Sequence, residues 1–357
     1  MTAEKISELL KEKKVDAALV SSPANIRYLS GFAGTESYLY LTPERKVILT
    51  DSRYTLQAEE EGKGCEVQTM SRERSYGVML GELLREDGVE RLGFEENAML
   101  YGTWNNLWKK SGFGPEHWVM LGDSLSELRV MKNEQELQWM EKAESIGDAA
   151  FSYILNELKP GVTELEIAAK LEYYMRSHGA EGTSFDTIVA SGYHSAMPHA
   201  VPSEKRLEAG DFVTMDFGCK YHGYCSDMTR TVVIGKASER QKEVYNVVLK
   251  AQLTALKDLR PGMTCAEGDR LARDVIEKAG YGQYFGHSLG HSVGLEIHEK
   301  PALSPKDGHV LQAGMVETVE PGIYIPDFGG VRIEDMVVLT ENGIRNLTHS
   351  PKELIEI

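Results

Sequence analysis

Cysteine is scarce in this chain. Its 357 residues hold four, Cys65, Cys219, Cys225 and Cys265, and none has a C-x-x-C or zinc-finger spacing. That excludes a disulfide scaffold and a thiolate zinc site, and it fits reduced thiols in a cytoplasmic protein. Long hydrophobic runs are missing too. No stretch approaches a membrane span, and the first residues, M-T-A-E-K-I-S-E-L-L-K-E-K-K, have amphipathic helical spacing with no apolar signal core. Positive charge is in deficit, 39 Lys and Arg against 55 Asp and Glu for a net −16. This argues against nucleic acid or an anionic membrane as the main partner.

What remains is long enough for two domains and a sizeable core. From residue 15 to about 122, short strand patterns (17–20, 38–41, 46–50, 66–70, 91–94, 118–121) alternate with helical ones such as 52–61, 76–85 and 101–110. That is an α/β domain with a mixed or parallel sheet. It contains no glycine-rich phosphate loop, so no nucleotide site is expected, and Trp104, Trp108 and Trp118 read as core or interface. Residues 123–136 are polar and read as a linker. A long helix follows, with Leu137, Met140, Ala143, Ile146, Ala150, Ile154 and Leu158 as a core stripe.

The informative stretch runs from 214 to 231, T-M-D-F-G-C-K-Y-H-G-Y-C-S-D-M-T-R-T. It sets Asp216 and Asp227 in two β-prone segments, 212–217 and 228–234, read as a hairpin with a long or bulged turn. One Asp in a strand is most simply an exposed one. Two, flanked by Met, Phe and Val, need a cation nearby.

The pattern recurs. Residues 209–218 (A-G-D-F-V-T-M-D-F-G) and 313–322 (A-G-M-V-E-T-V-E-P-G) both fit A-G-x-x-x-T-x-[DE]-x-G, which sets Glu320 against Asp216. A strand-like run at 331–339 then carries Glu334. The upstream flanks repeat as well: L-K-P-G-V-T-E-L-E at 158–166 matches L-R-P-G-M-T-C-A-E at 259–267. In each, Pro-Gly stops one helix and a Thr-x-x-Glu capping box starts the next. Two related halves would bring both carboxylate pairs to a shared interface.

Eight of the ten histidines lie between 178 and 309. One run, S-G-Y-H-S-A-M-P-H-A, holds His194 and His199; the other, G-H-S-L-G-H-S-V-G-L-E-I-H-E-K, holds His287, His291 and His298. Glycines in the second suit a loop lining a pocket. His117, His178, His309 and His349 read as ordinary polar or surface residues.

Together D-x10-D, G-H-x-x-G-H-x-x-G-L-x-x-H-E, T-V-E-P-G-x-Y and R-I-E-D resemble the creatinase/aminopeptidase P/prolidase family of metallopeptidases, over almost the whole chain. N-I-R-Y-L-S-G-F and T-D-S-R-Y are similar to that family's N-terminal domain. The architecture implied is an α/β N-terminal domain with a mixed sheet, residues 1–124, and an α+β "pita-bread" catalytic domain with an internal pseudo-two-fold repeat, residues 125–357.

The resemblance implies that Asp216, Asp227, His291, Glu320 and Glu334 hold two divalent ions. Four carboxylates and a neutral imidazole suit Mn²⁺, with Co²⁺, Fe²⁺ or Zn²⁺ as other candidates. It further implies that Glu320 shuttles a proton, that His199 and His298 contact substrate, and that His287, Tyr324 and Arg332 touch substrate or orient the ligands. Arg332 fits an orienting role at least as well as a catalytic one. The implied reaction is hydrolysis of an Xaa-Pro bond at the N-terminus of dipeptides or short peptides by a cytoplasmic homodimer.

Aminopeptidase P acting on longer peptides is the nearest alternative. Some prolidases carry an H-E-x-P-R run, where this chain reads H-E-K-P-A with Ala302 in place of the arginine. A metal-free creatinase-like hydrolase, or a binding protein without activity, should show an eroded set of five ligands, and here the set is complete. Methionine aminopeptidases share the ligands and are expected to lack the N-terminal domain.

Overall fold

Periodicity places the elements of the first third within a few residues of their observed bounds. In the computed structural model, which describes residues 3–357, they run α1 (Ala3–Lys13), β1 (Ala17–Val20), α2 (Pro23–Ser30), β2 (Ser37–Leu41), β3 (Lys46–Thr50), α3 (Thr55–Glu61), β4 (Glu66–Thr69), α4 (Tyr76–Glu86), β5 (Leu92–Phe94), α5 (Tyr101–Ser111), β6 (Trp118–Met120) and α6 (Ser124–Glu127). The first two residues of the expected N-terminal helix lie outside the described residues. Helix α2 escaped the sequence reading, although Ser22 caps it and Pro23 opens it. The six strands order as β4-β3-β2-β1-β5-β6. Pairs β1–β2 and β2–β3 are antiparallel and the other three parallel, so the sheet is mixed. Alternation along β2 sends Leu39 and Leu41 to one core and Tyr40 to the other, so helices cover both faces.

The chain divides into two units, Met1–Arg129 and Val130–Ile357, and the second is built twice. Its first half runs α7 (Glu134–Ile154), α8 (Glu164–Ser177), β7 (Gly182–Thr183), β8 (Ile188–Ser191), β9 (Phe212–Phe217), β10 (Cys219–Tyr221), β11 (Tyr224–Cys225) and β12 (Met228–Val233). The other half runs α9 (Glu239–Asp258), α10 (Cys265–Lys278), β13 (Gly290–Ser292), β14 (Glu299–Leu303), β15 (Val316–Val319), β16 (Gly322–Ile325), β17 (Gly329–Arg332), β18 (Asp335–Thr340) and β19 (Gly343–Asn346). In each half a helix pair packs its apolar stripe on a sheet. Ala143, Ile146, Ala150 and Ile154 meet Val213 and Met215, while Val248, Ala251 and Ala255 meet Val319 and Val337.

The repeat seen in the sequence has a matching geometry. Gly161 (φ 93°) and Gly262 (φ 87°) both take the left-handed turn that follows Pro. Their N–H groups donate to Leu207 and Leu311 respectively, both at 2.9 Å. Thr163 with Glu166 and Thr264 with Glu267 close the two expected capping boxes.

Three expectations change in detail. The polar stretch 123–136 is not a plain linker: α6 lies within it, and Asn133 forms a capping box with Glu136 that starts α7. The 212–234 hairpin has no long turn, because β10 and β11 prolong the pairing to a tight tip at His222 and Gly223, both at positive φ. Where the two ladders join, a Cβ on Gly218 would lie 1.9 Å from the Ser226 carbonyl oxygen, so only glycine fits. The strand-like run 331–339 is broken at Ile333–Glu334, since β17 pairs with β16 while β18 pairs with β15. At that switch the Glu334 N–H donates to the Thr229 carbonyl, 3.1 Å, tying the second half to the first.

The last residues close the outer edge of β12. Val233 N–H donates to Ile355 O and Ile357 N–H to Val233 O, both 2.9 Å. Arg230, 1 % exposed, donates to the carbonyls of Thr229, Glu334, Ser350 and Pro351 and to Asp335 Oδ1, so its guanidinium is fully used. Among the described residues no helix is long and apolar enough to cross a membrane, and Cys65, Cys219, Cys225 and Cys265 are free thiols.

Candidate metal centre

Strand register aims the acidic side chains. In β9/β12 Asp216 faces Thr229, and Asp227 lies two residues before Thr229, on the same face. In β15/β18 the pairing ends at Val319 opposite Asp335, which leaves Glu320 and Glu334 one step beyond. Strand β13 brings His291 beside them. All five line one cavity of about 650 Å³, together with His199, His287, His298, Ala302 and Arg332. The loop before β14 brings His298, whose ring centroid is 4.3 Å from that of His291. The rest of the wall is largely apolar, with Phe185, Ile188, Pro198, Val201 and Ile297.

The donor atoms converge. Single ligand atoms of Asp227, His291 and Glu334 all lie within 4.8 Å of one another. His291 Nε2 is 3.5 Å from Asp227 Oδ2 and 3.4 Å from Glu320 Oε1. These distances are long for a charged pair, and burial lowers the His291 pKa to about 4, so the ring is neutral. Its Nδ1 faces the Ser292 carbonyl at 3.2 Å and must carry the proton. The Nε2 lone pair therefore points at carboxylate oxygens.

The carboxylates are equally uncomfortable. Burial, with Glu334, Asp216 and Glu320 adding repulsion, pushes Asp227 well above its ordinary range. Burial, with Glu320 and Asp216, does the same to Glu334. Burial pushes Glu320 up to about 8, although Arg332 pulls the other way. Asp216 Oδ1 is buried with no hydrogen-bond partner. Such a cluster needs either protons or cations, and four carboxylates with one imidazole nitrogen fit hard divalent ions.

A second set of side chains orients the first. Arg332 reaches Asp216 Oδ2 at 2.6 Å, Tyr324 OH at 2.8 Å and Thr229 Oγ1 at 3.0 Å. Thr229 donates to Glu334 Oε2 (2.6 Å) and Thr318 to Glu320 Oε1 (3.1 Å). Asp227 N–H donates to Glu144, a fully buried carboxyl raised to about 8 by burial, which also accepts from Thr348 Oγ1. His287 is neutral, its pKa lowered to about 4 by burial and by Arg332. Its Nδ1–H meets Ser288 O (2.8 Å), so Nε2 accepts from Tyr324 OH (2.9 Å).

The sequence reading passed over Thr229, Thr318 and Glu144. Thr318 is the shared Thr of the two copies, and Thr229 stands two residues from Asp227, so strand alternation was the available signal. His194 stays outside the cavity lining, its Nδ1 3.1 Å from buried Glu164. His178 stacks on Tyr174, and His309 meets Asp307.

The chain is similar to known proteins over both of its units. Residues 138–341 match metallopeptidase family M24, and residues 3–131 match the creatinase/prolidase N-terminal domain. The structure of an Xaa-Pro dipeptidase from Bacillus anthracis superposes with a TM-score of 0.95 at 42 % identity, covering 99 % of both chains. An X-Pro aminopeptidase from Thermotoga maritima MSB8 superposes with a TM-score of 0.91 at 38 % identity, again over 99 % of both. The Xaa-Pro dipeptidase of Pyrococcus horikoshii is 41 % identical over 99 % of this chain and 98 % of its own length. The chain belongs to metallopeptidase family M24, a family implying divalent metal ions, and joins its catalytic pita-bread unit to a creatinase/prolidase N-terminal domain.

Proposed function

We propose that this metallopeptidase hydrolyses the Xaa-Pro bond at the N-terminus of dipeptides and short peptides. The observation that carries the reading is a cavity with a largely apolar wall that four carboxylates and one lone-pair-bearing imidazole line, with ligand atoms of Asp227, His291 and Glu334 within 4.8 Å of one another. Asp216, Asp227, His291, Glu320 and Glu334 would hold two divalent ions, Mn²⁺ by donor chemistry, with Co²⁺, Fe²⁺ or Zn²⁺ as substitutes. Two such ions lower the pKa of water, polarise a carbonyl and bind a free amino terminus.

The chain's own residues supply the rest. Glu320, which lines the cavity among the other carboxylates, would take a proton and deliver it to the leaving proline nitrogen. That nitrogen has no hydrogen in the substrate, so recognition falls on ring shape, which Phe185, Ile188 and Ile297 can read. His199 and His298 line the same cavity and would donate to the oxygen that gains charge as the carbonyl is attacked. Both ring nitrogens of His287 are already engaged, so it holds Tyr324, and through Tyr324 Arg332 and Asp216, rather than binding substrate.

Aminopeptidase P activity on longer peptides is the second reading. It is favoured by Ala302, which lines the cavity and offers no charge to a dipeptide's carboxylate. The test is hydrolysis of Xaa-Pro dipeptides, Xaa-Pro-Yaa tripeptides and Xaa-Gly controls, after exhaustive chelation and after Mn²⁺ return. Turnover of the Xaa-Pro substrates only with metal supports the proposal. Undiminished activity in chelated enzyme overturns the metal assignment, and strict dipeptide turnover removes the second reading. We also propose a cytoplasmic setting, in which the four free thiols would stay reduced. We further propose a homodimer, which sedimentation velocity tests.

A further inference from the structure

Helix α10 carries an ion pair that the proposed chemistry does not use. Asp269 is fully buried, and Arg273, one turn later, grips it with two bonds: Nε to Oδ2 at 2.6 Å and Nη2 to Oδ1 at 2.8 Å. A pair at this spacing is ordinarily a modest helix stabiliser. Here its remaining capacity leaves the helix. Arg273 Nη1 donates to Phe285 O at 3.1 Å and Nη2 to His287 O at 2.7 Å, while Asp269 Oδ1 accepts from Leu289 N–H at 2.9 Å. The guanidinium carbon also sits 4.2 Å from the centre of the Phe285 ring. Three alternate residues of one irregular loop are thus tied to one side-chain pair, with His287 in the middle.

Residues 285–289 belong to no strand or helix; apart from the pair, the loop is anchored at its ends, where Phe285 and Leu289 are buried in the core and Leu289 N–H also reaches Leu303 O at 2.9 Å. Its position matters at both ends. The His287 ring continues to Tyr324 OH, and from there to Arg332 and Asp216. Leu289 O accepts the Glu320 N–H at 2.8 Å, and β13 with His291 begins at the next residue.

The internal repeat supplies a comparison. Aligning Thr163 with Thr264 places Ala168 and Glu172 of α8 where α10 has Asp269 and Arg273. The sister helix folds without the pair, so a helix in this setting does not require it. Only the half that carries the histidine loop has it.

We propose that Asp269 and Arg273 are positioning residues, which set where His287 stands and thereby how firmly Tyr324 and Arg332 hold Asp216. The kinetic arm of the test rests on the Xaa-Pro peptidase reading. Arg273→Gln keeps polarity and most of the stem while removing the fork. It should lower kcat by about ten- to a hundredfold, the scale of a catalytic group displaced by roughly an ångström. KM and bound metal should change less than about threefold, and Arg273→Lys should recover part of the loss.

The decisive comparison is in a His287→Ala background. If the pair acts through His287, Arg273→Gln should cost almost nothing further there. A full, additive loss in that background overturns the proposal. A crystal structure of Arg273→Gln gives a readout independent of activity: the His287 Nε2 to Tyr324 OH distance should open beyond hydrogen-bonding range, and an unchanged 2.9 Å contact overturns the inference. If the parent enzyme cleaves no Xaa-Pro substrate, the functional reading fails, while this structural arm still decides the positioning claim.

Discussion

Stripping the divalent ions should make the protein's stability fall as pH rises, and the structure sets the size of the effect. Without metal, burial holds the Glu320 carboxyl at about 8, against 4.5 for a free side chain. Between those values the folded state binds a proton that the unfolded chain does not. Stability from this group is therefore complete below about pH 4.5 and is lost as pH climbs through 8. From pH 5.5 to 8 that amounts to roughly 3 kcal/mol from Glu320 alone, at about 1.36 kcal/mol per pKa unit. Asp227 and Glu334, raised in the same sense, push further in that direction. Glu144 and Glu317 are also held at about 8, but neither belongs to the proposed ligand set, so their contribution largely cancels between the loaded and stripped protein. With ions bound, the ligand carboxylates stay ionised and this loss disappears. For a domain of this size the gap in Tm between Mn²⁺-loaded and chelated protein should widen by roughly 6–12 °C from pH 5.5 to 8. Scanning calorimetry at the two pH values measures it. A gap that is constant, or narrower at pH 8, would refute the idea that metal replaces protons among these four carboxylates.

Two further outcomes follow from the same geometry. His291→Ala should lower bound metal by mass spectrometry, whereas His199→Ala and His298→Ala should leave it largely intact and reduce kcat more than they raise KM; equal metal loss in His298→Ala would show the roles misassigned. Thr229→Val removes the hydroxyl that donates to Glu334 and accepts from Arg332, so metal affinity should weaken roughly tenfold by competitive chelator titration, and unchanged affinity would mean Glu334 needs no such support.

Much of this was legible because the signals were local. Capping boxes, apolar stripes and β-prone runs are read within a few residues, and the duplicated A-G-x-x-x-T-x-[DE]-x-G pattern already implied two halves sharing a site. What escaped depends on pairing across the chain. The sequence left open which carboxylate Arg332 would orient, and it holds Asp216, 116 residues away. The break at Ile333–Glu334 explains why: the chain changes sheets there, and Glu334 turns to Thr229 instead. Helix α2 was missed because eight residues carry too little periodicity to separate from a loop. The tip at His222 was missed because a non-glycine residue at positive φ leaves no clear mark in composition.

The closing of β12 by residues 355–357 also has a consequence for how the protein is made. A ribosome releases the chain in order, so the first unit, with all six strands of its sheet, can complete itself while the second is still being assembled. The carboxylates appear late, at positions 216, 227, 320 and 334. Even then β12 keeps a bare edge, and buried Arg230 lacks two of its acceptors, until Ser350, Pro351 and Ile355 have emerged. At about 5–20 residues per second, the stretch from Val233 to Ile355 takes roughly 6–24 s to make. During that time the nascent chain exposes an unpaired strand beside a half-built acidic cluster. A chain that stalls short of residue 350 is left with an open edge on β12 and with Arg230 lacking two of its acceptors.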